Sequence, residues 1–71
     1  MEKIFEMRVE KRDDRVIFEL WRNDQEEPIA KREVMMRDVG DYFNVVQALY
    51  QTLRELEQEF TRWAQQQLFK K

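Results

Sequence analysis

Large apolar residues recur along the C-terminal half of this chain at alternating steps of four and three: Tyr42, Val46, Leu49, Leu53, Leu56, Phe60 and Trp63. That spacing holds one stripe on one face of an α-helix, the pattern of helices that pack lengthwise on a partner. No proline or glycine falls between Asp41 and Phe69. The spacing predicts a single helix over 41–69, roughly 43 Å long at 1.5 Å per residue. A helix of that length sets the terms for everything the remaining residues can build.

The N-terminal half carries a different period. Phe5, Met7 and Val9 alternate with Ile4, Glu6, Arg8 and Glu10, which predicts a half-buried strand over 3–11. Residues 15–22 repeat the pattern, with Val16, Phe18 and Leu20 set against Ile17, Glu19 and Trp21. A two-residue turn at Asp13-Asp14 pairs Val9 with Phe18 and Met7 with Leu20 on one face, and Arg8 with Glu19 on the other. A three-residue turn would set core side chains opposite exposed ones, so parity excludes it. Neither aspartate is the glycine that a tight hairpin prefers.

Asn23 to Pro28 is polar and ends in the only proline, so it reads as a loop. A third strand is expected over 29–36, with Ala30, Val34 and Met36 inward. Arg32 interrupts that inner set and suits an edge strand, where a long side chain can reach water. The only glycine, Gly40, marks the change of period. Asp38 or Asp41 is placed to cap the helix, since a carboxylate accepts from the free amides of a first turn. The expected fold is α+β, a three-stranded antiparallel meander followed by one long C-terminal helix, in one domain spanning 1–71.

Size turns this into an expectation about assembly. Seventy-one residues bury a limited core, and chains this small draw on disulfides, metals or partner subunits. Cysteine and histidine are both absent, which removes disulfides and argues against structural zinc. Oligomerisation is the remaining support. Strands of about eight residues span roughly 27 Å, so the helix is expected to overhang its own sheet by several turns. Its first half is apolar over a wide arc suited to burial against the sheet: Tyr42, Phe43, Val45, Val46, Leu49 and Tyr50. Its second half narrows to Leu53, Leu56, Phe60 and Trp63, a seam suited to one partner helix. The expectation is a symmetric homodimer through those four residues, with a sheet edge as a candidate further contact.

Chemistry is sparse. Without histidine, cysteine or serine, the commonest general base and the usual nucleophiles are missing, and one glycine cannot build a phosphate loop. The carboxylates of Asp13-Asp14 and of Asp24, Glu26 and Glu27 lie in turns, where solvation alone explains them. Their spacing fits no calcium loop. No enzyme activity, small-molecule substrate, cofactor or metal is expected.

The net charge of -2 mixes both signs. Arg8, Lys11, Arg12, Arg15, Arg22, Lys31, Arg32 and Arg37 lie in the sheet region with Trp21 among them, and suggest a sheet face able to stack bases, the alternative reading as a nucleic-acid binder. The acids interleaved with them argue against it, because a phosphate-binding surface should be plainly basic. Carboxylates mimicking nucleic acid would need to gather on one surface, against the same mixing of signs. No stretch approaches the roughly 20 apolar residues of a membrane span. The start, Met1 to Glu6, alternates charged and apolar residues without a run of signal-peptide length, so the expected compartment is the cytoplasm.

These features point to a small oligomeric interaction protein: an adaptor, a regulatory subunit or an inhibitor that occludes a partner's surface. Trp21, with Arg8 and Arg22, is the expected contact with a second protein, because tryptophan and arginine are over-represented in binding hot spots.

Overall fold

The computed structural model describes residues 1–70. Three antiparallel strands, β1 (Phe5–Arg12), β2 (Arg15–Arg22) and β3 (Ala30–Met35), form one sheet in the order β1-β2-β3. A single 3-10 turn, Val39–Asp41, leads into the helix α1 (Tyr42–Leu68). This is the expected βββα arrangement: β2 has the expected bounds, and β1, β3 and α1 differ by one or two residues at their ends.

The hairpin register is the one parity requires. Val9 pairs with Phe18, Met7 with Leu20, Arg8 with Glu19 and Arg12 with Arg15, leaving Asp13 and Asp14 as a two-residue turn. Asp13 takes φ 57°, the left-handed conformation that a glycine would adopt without steric cost. On the other side of β2, Val16 pairs with Val34, Phe18 with Arg32 and Leu20 with Ala30. Val16, Phe18 and Leu20 are buried at the centre of the helix-facing side.

The 3-10 turn is capped by Asp38, whose carboxylate accepts from the Gly40 N–H at 2.8 Å. A Cβ at Gly40 would lie 3.1 Å from that carboxylate oxygen, so glycine suits the close approach. Asp41 stands at the N-cap of α1, immediately before Tyr42, without capping it through its side chain. Its carboxylate instead accepts from the backbone N–H of Arg37 at 2.9 Å and tethers the connection behind the helix.

Two expectations about the helix are corrected by the way it lies. First, only part of the wide apolar arc of its first half meets the sheet: Val45 and Leu49 pack on the core, whereas its aromatic residues do not. The residues against the sheet are Val45, Ala48, Leu49 and Thr52, with Ala48 packed on Val16 and Phe18. Tyr42, Phe43 and Tyr50 remain 69, 69 and 63% exposed. Small residues allow the helix axis to approach closely, so the contact line runs through Ala48 and Thr52. That line lies roughly a quarter turn from the large apolar stripe at 100° per residue.

Second, the overhang is short. The segment before β1 and the start of the β2–β3 connection extend the end of the sheet, so Ile4, Arg22 and Asn23 line the same cleft as Trp63 and Gln67. The end of the helix projects beyond, with Leu68 and the adjoining Phe69 78 and 77% exposed. The molecule measures 51 × 21 × 19 Å, elongated along the helix.

Candidate interaction surface

The helix lies over β2 and β3 and barely reaches β1. A helix is about 10–12 Å across with its side chains, and strands are spaced about 4.8 Å apart, so one helix covers two strands and leaves the third. The uncovered strip is the inward side of β1. Val9 is 57% exposed there, although its position in the sheet is a core position.

Between this strip and the flank of α1 runs an apolar groove lined by Ile4, Phe5, Leu53, Leu56, Glu57 and Phe60. Three of the four residues expected to mediate self-association therefore meet on this flank: Leu53 and Phe60 exposed, Leu56 half-buried. Trp63 is the fourth. Its ring sits 5.7 Å from that of Phe60 at 38°, but it leans towards the cleft beside Ile4 and Arg22 and is half-buried by its own chain. Sequence reasoning missed Ile4 and Phe5 as the opposite wall of the groove, and Tyr42, Phe43 and Tyr50 as exposed surface. The signal for the latter was the Ala48–Thr52 pair, whose small side chains mark the line of close approach.

The sheet's outer side is built differently. Ile17 is buried at its centre, although among the described residues the helix packs on the other side of the sheet. Its neighbours are long charged side chains from all three strands, whose apolar stems shield it while their heads stay in water. Arg15 and Glu33 pair at 2.6 Å, Arg8 and Glu6 at 3.1 Å, and Lys31 and Glu19 at 4.0 Å. The guanidinium beside each holds the carboxyls of Glu6 and Glu33 below the usual carboxylate range. Basic and acidic residues alternate on this face instead of separating.

Trp21 and Arg8 come together as expected. The Arg8 guanidinium lies 4.4 Å over the Trp21 ring, and the indole N–H donates to Glu19 at 3.1 Å. Arg22 does not join them. It pairs with Phe5 in the register, so it falls on the opposite side of the sheet, and its guanidinium is 3.0 Å from Asp24. Strand alternation separates neighbours in sequence, which makes a cluster of Trp21 and Arg22 on one face impossible.

Family models, characterised proteins and solved structures yield no match to this chain. Any functional reading rests on the surfaces themselves. Among the described residues no three carboxylates gather where they could share a metal ion, and no helix is long and apolar enough to cross a membrane. The clefts are shallow and open, and the groove beside β1 has a dominantly apolar lining.

Proposed function

We propose that this protein is a small oligomeric interaction module that acts by occupying surfaces, as an adaptor, regulatory subunit or occluding inhibitor, with no catalysis of its own. The observation that carries the reading is the apolar flank of α1 and the uncovered strip of β1 beside it. Aromatic side chains present about 200 Å² each. At 50–69% exposure, Tyr42, Phe43, Tyr50 and Phe60 leave roughly 500 Å² in water. Tyr42 and Phe60, with Leu53 and Val9, border the side of β1, while Phe43 and Tyr50 lie roughly 80–100° further round the helix. Apolar exposure of this extent on a small domain marks a contact surface.

In this reading Leu53, Leu56 and Phe60 make the self-association. Trp21, on the opposite side of the sheet, is left as the contact for a second protein. The nucleic-acid alternative is weakened by the outer face, where Arg8, Arg15 and Lys31 each sit beside a carboxylate.

Absolute molar mass by light scattering at two concentrations tests the proposal. A mass of twice the 8.9 kDa chain is expected. The Leu56→Glu, Phe60→Glu double variant should fall to the monomer mass while keeping its helical circular dichroism. A wild-type monomer throughout would overturn self-association.

A further inference from the structure

We propose that two copies pair through their β1 strands, antiparallel about a two-fold axis at Val9, to give one continuous six-stranded sheet. This rests on the self-association proposed above and specifies its geometry.

The first argument is the state of the edge. The Asn23 N–H donates to the Ile4 carbonyl, so Ile4 and Asn23 form a hydrogen-bonded pair across the hairpin. Bonded and non-bonded pairs alternate along an antiparallel ladder. Glu6, Arg8, Glu10 and Arg12 therefore bond towards β2, while Met7, Val9 and Lys11 direct their backbone N–H and C=O groups outward. Those groups have no partner strand, since β1 is an edge of the sheet. The edge is eight residues long and contains no proline. Such an edge is a template for another strand.

The second argument is charge. The outward column of β1 reads Glu6, Arg8, Glu10, Arg12, an alternation that complements its own reverse. Paired residues share a face, so permitted two-fold registers centre on a residue. Centring on Val9 sets Glu6 against the second copy's Arg12 and Arg8 against its Glu10, each twice. All four charges then meet opposites at non-hydrogen-bonded positions, where side chains lie closest. Centring on Arg8 would oppose Arg8 to itself and Glu6 to Glu10. Centring on Met7 would leave Glu10 facing Ile4. The other edge, β3, is shorter, and centring on Lys31, Arg32 or Glu33 would oppose each to its own copy.

The third argument is the apolar strip. With β1 beside its copy, the two uncovered strips join into one trough between two helices. Helices centred over β2 and β3 in each copy would stand about 19 Å apart at 4.8 Å per strand. That gap exceeds direct helix contact at 8–10 Å and calls for large side chains to roof it. Leu53, Leu56 and Phe60 are the large residues on that flank.

A charge-swap series read by sedimentation equilibrium tests the register. Arg8→Glu alone, or Glu10→Arg alone, sets like charges opposite at two places and should weaken the dimer about tenfold. The Arg8→Glu, Glu10→Arg double variant should recover most of that loss. Because the chain has no native cysteine, Val9→Cys supplies an independent readout. Its two copies would sit about 5.5 Å apart between Cα atoms, within disulfide reach. Val9→Cys should cross-link under mild oxidation, and Lys31→Cys on the far edge should not. The cysteine pair carries the test if a charge variant fails to fold. A dimer that ignores the charge changes and does not cross-link at position 9 overturns the strand pairing while leaving helix-mediated association standing. A monomer at all concentrations overturns both.

Discussion

Arg32 reaches across the sheet–helix interface to Thr52, its Nη1 donating to the threonine Oγ1 at 3.3 Å. Thr52 has no exposed surface, and its hydroxyl in turn donates to the Ala48 carbonyl at 2.9 Å. The guanidinium is also paired with Glu55. A charged residue at an inward strand position is thus accommodated by groups one helical turn apart, and no buried side-chain polar atom among the described residues lacks a partner.

Replacing Thr52 by valine keeps the shape and removes the hydroxyl. Arg32 retains Glu55, so no charge is stranded. The expected cost is about 1 kcal/mol, the net worth of a buried hydrogen bond. Urea unfolding of Thr52→Val against wild type measures it, and an unchanged midpoint would mean the threonine contributes by packing alone.

Ala48 sits 3% exposed against Val16 and Phe18 at the point of closest approach. Ala48→Leu forces the helix off the sheet and should cost about 1–3 kcal/mol, as overpacking does. Ala48→Gly keeps the space and should cost about 1 kcal/mol through helix propensity. Thermal unfolding of the pair separates the two effects. A leucine variant as stable as wild type would show that the interface has slack.

Asp13 holds φ 57° in a two-residue hairpin turn. Glycine reaches that conformation freely but costs more entropy on folding. The balance favours Asp13→Gly by about 0.5–1 kcal/mol. For a domain of this size that raises the melting temperature by roughly 2–8 °C. Scanning calorimetry decides it, and a lowered midpoint would mean the aspartate carboxylate supplies compensating interactions.

The hairpin was legible because side-chain period two leaves parity no freedom: Val9 opposite Phe18 follows once both strands are recognised. The third strand and the helix followed from period and from Gly40. Which arc of the helix meets the sheet was legible only in part: Val45 and Leu49 were expected there, Ala48 and Thr52 were not. An apolar stripe draws attention to large residues, whereas close packing on a sheet is set by small ones, here Ala48 and Thr52. The partial exposure of β1 was hidden for a related reason. Its residues alternate like those of a covered strand, and only the width of one helix against three strands reveals that Val9 is left in water. Arg22 was misplaced beside Trp21 by reading neighbours in sequence as neighbours in space.

Acid should loosen the connection into the helix. The Asp41 carboxyl is held below the usual aspartate range, chiefly by the Arg37 backbone N–H and further by its guanidinium. A depressed carboxylate pKa contributes stability that is complete above the unfolded value of about 3.9. It is lost as pH falls through the lower folded value. The stability difference between wild type and Asp41→Ala should therefore be constant above about pH 5 and shrink below about pH 4. Denaturant titrations across that range check the sign, and a difference that grows in acid would contradict it.

The Arg8 guanidinium over Trp21 offers an optical reading of the outer face. Arg8→Ala uncovers one face of the ring without touching the indole N–H bond to Glu19. In a Trp63→Phe background, which leaves Trp21 as the sole tryptophan, Arg8→Ala should shift emission to longer wavelength as water reaches the ring. Adding a second protein that docks on Trp21 should reverse the shift, whereas one that binds the helix flank should leave it unchanged. Unaltered emission in Arg8→Ala would mean that the arginine does not shield the indole in solution, and Trp21 would lose its standing as a preorganised contact.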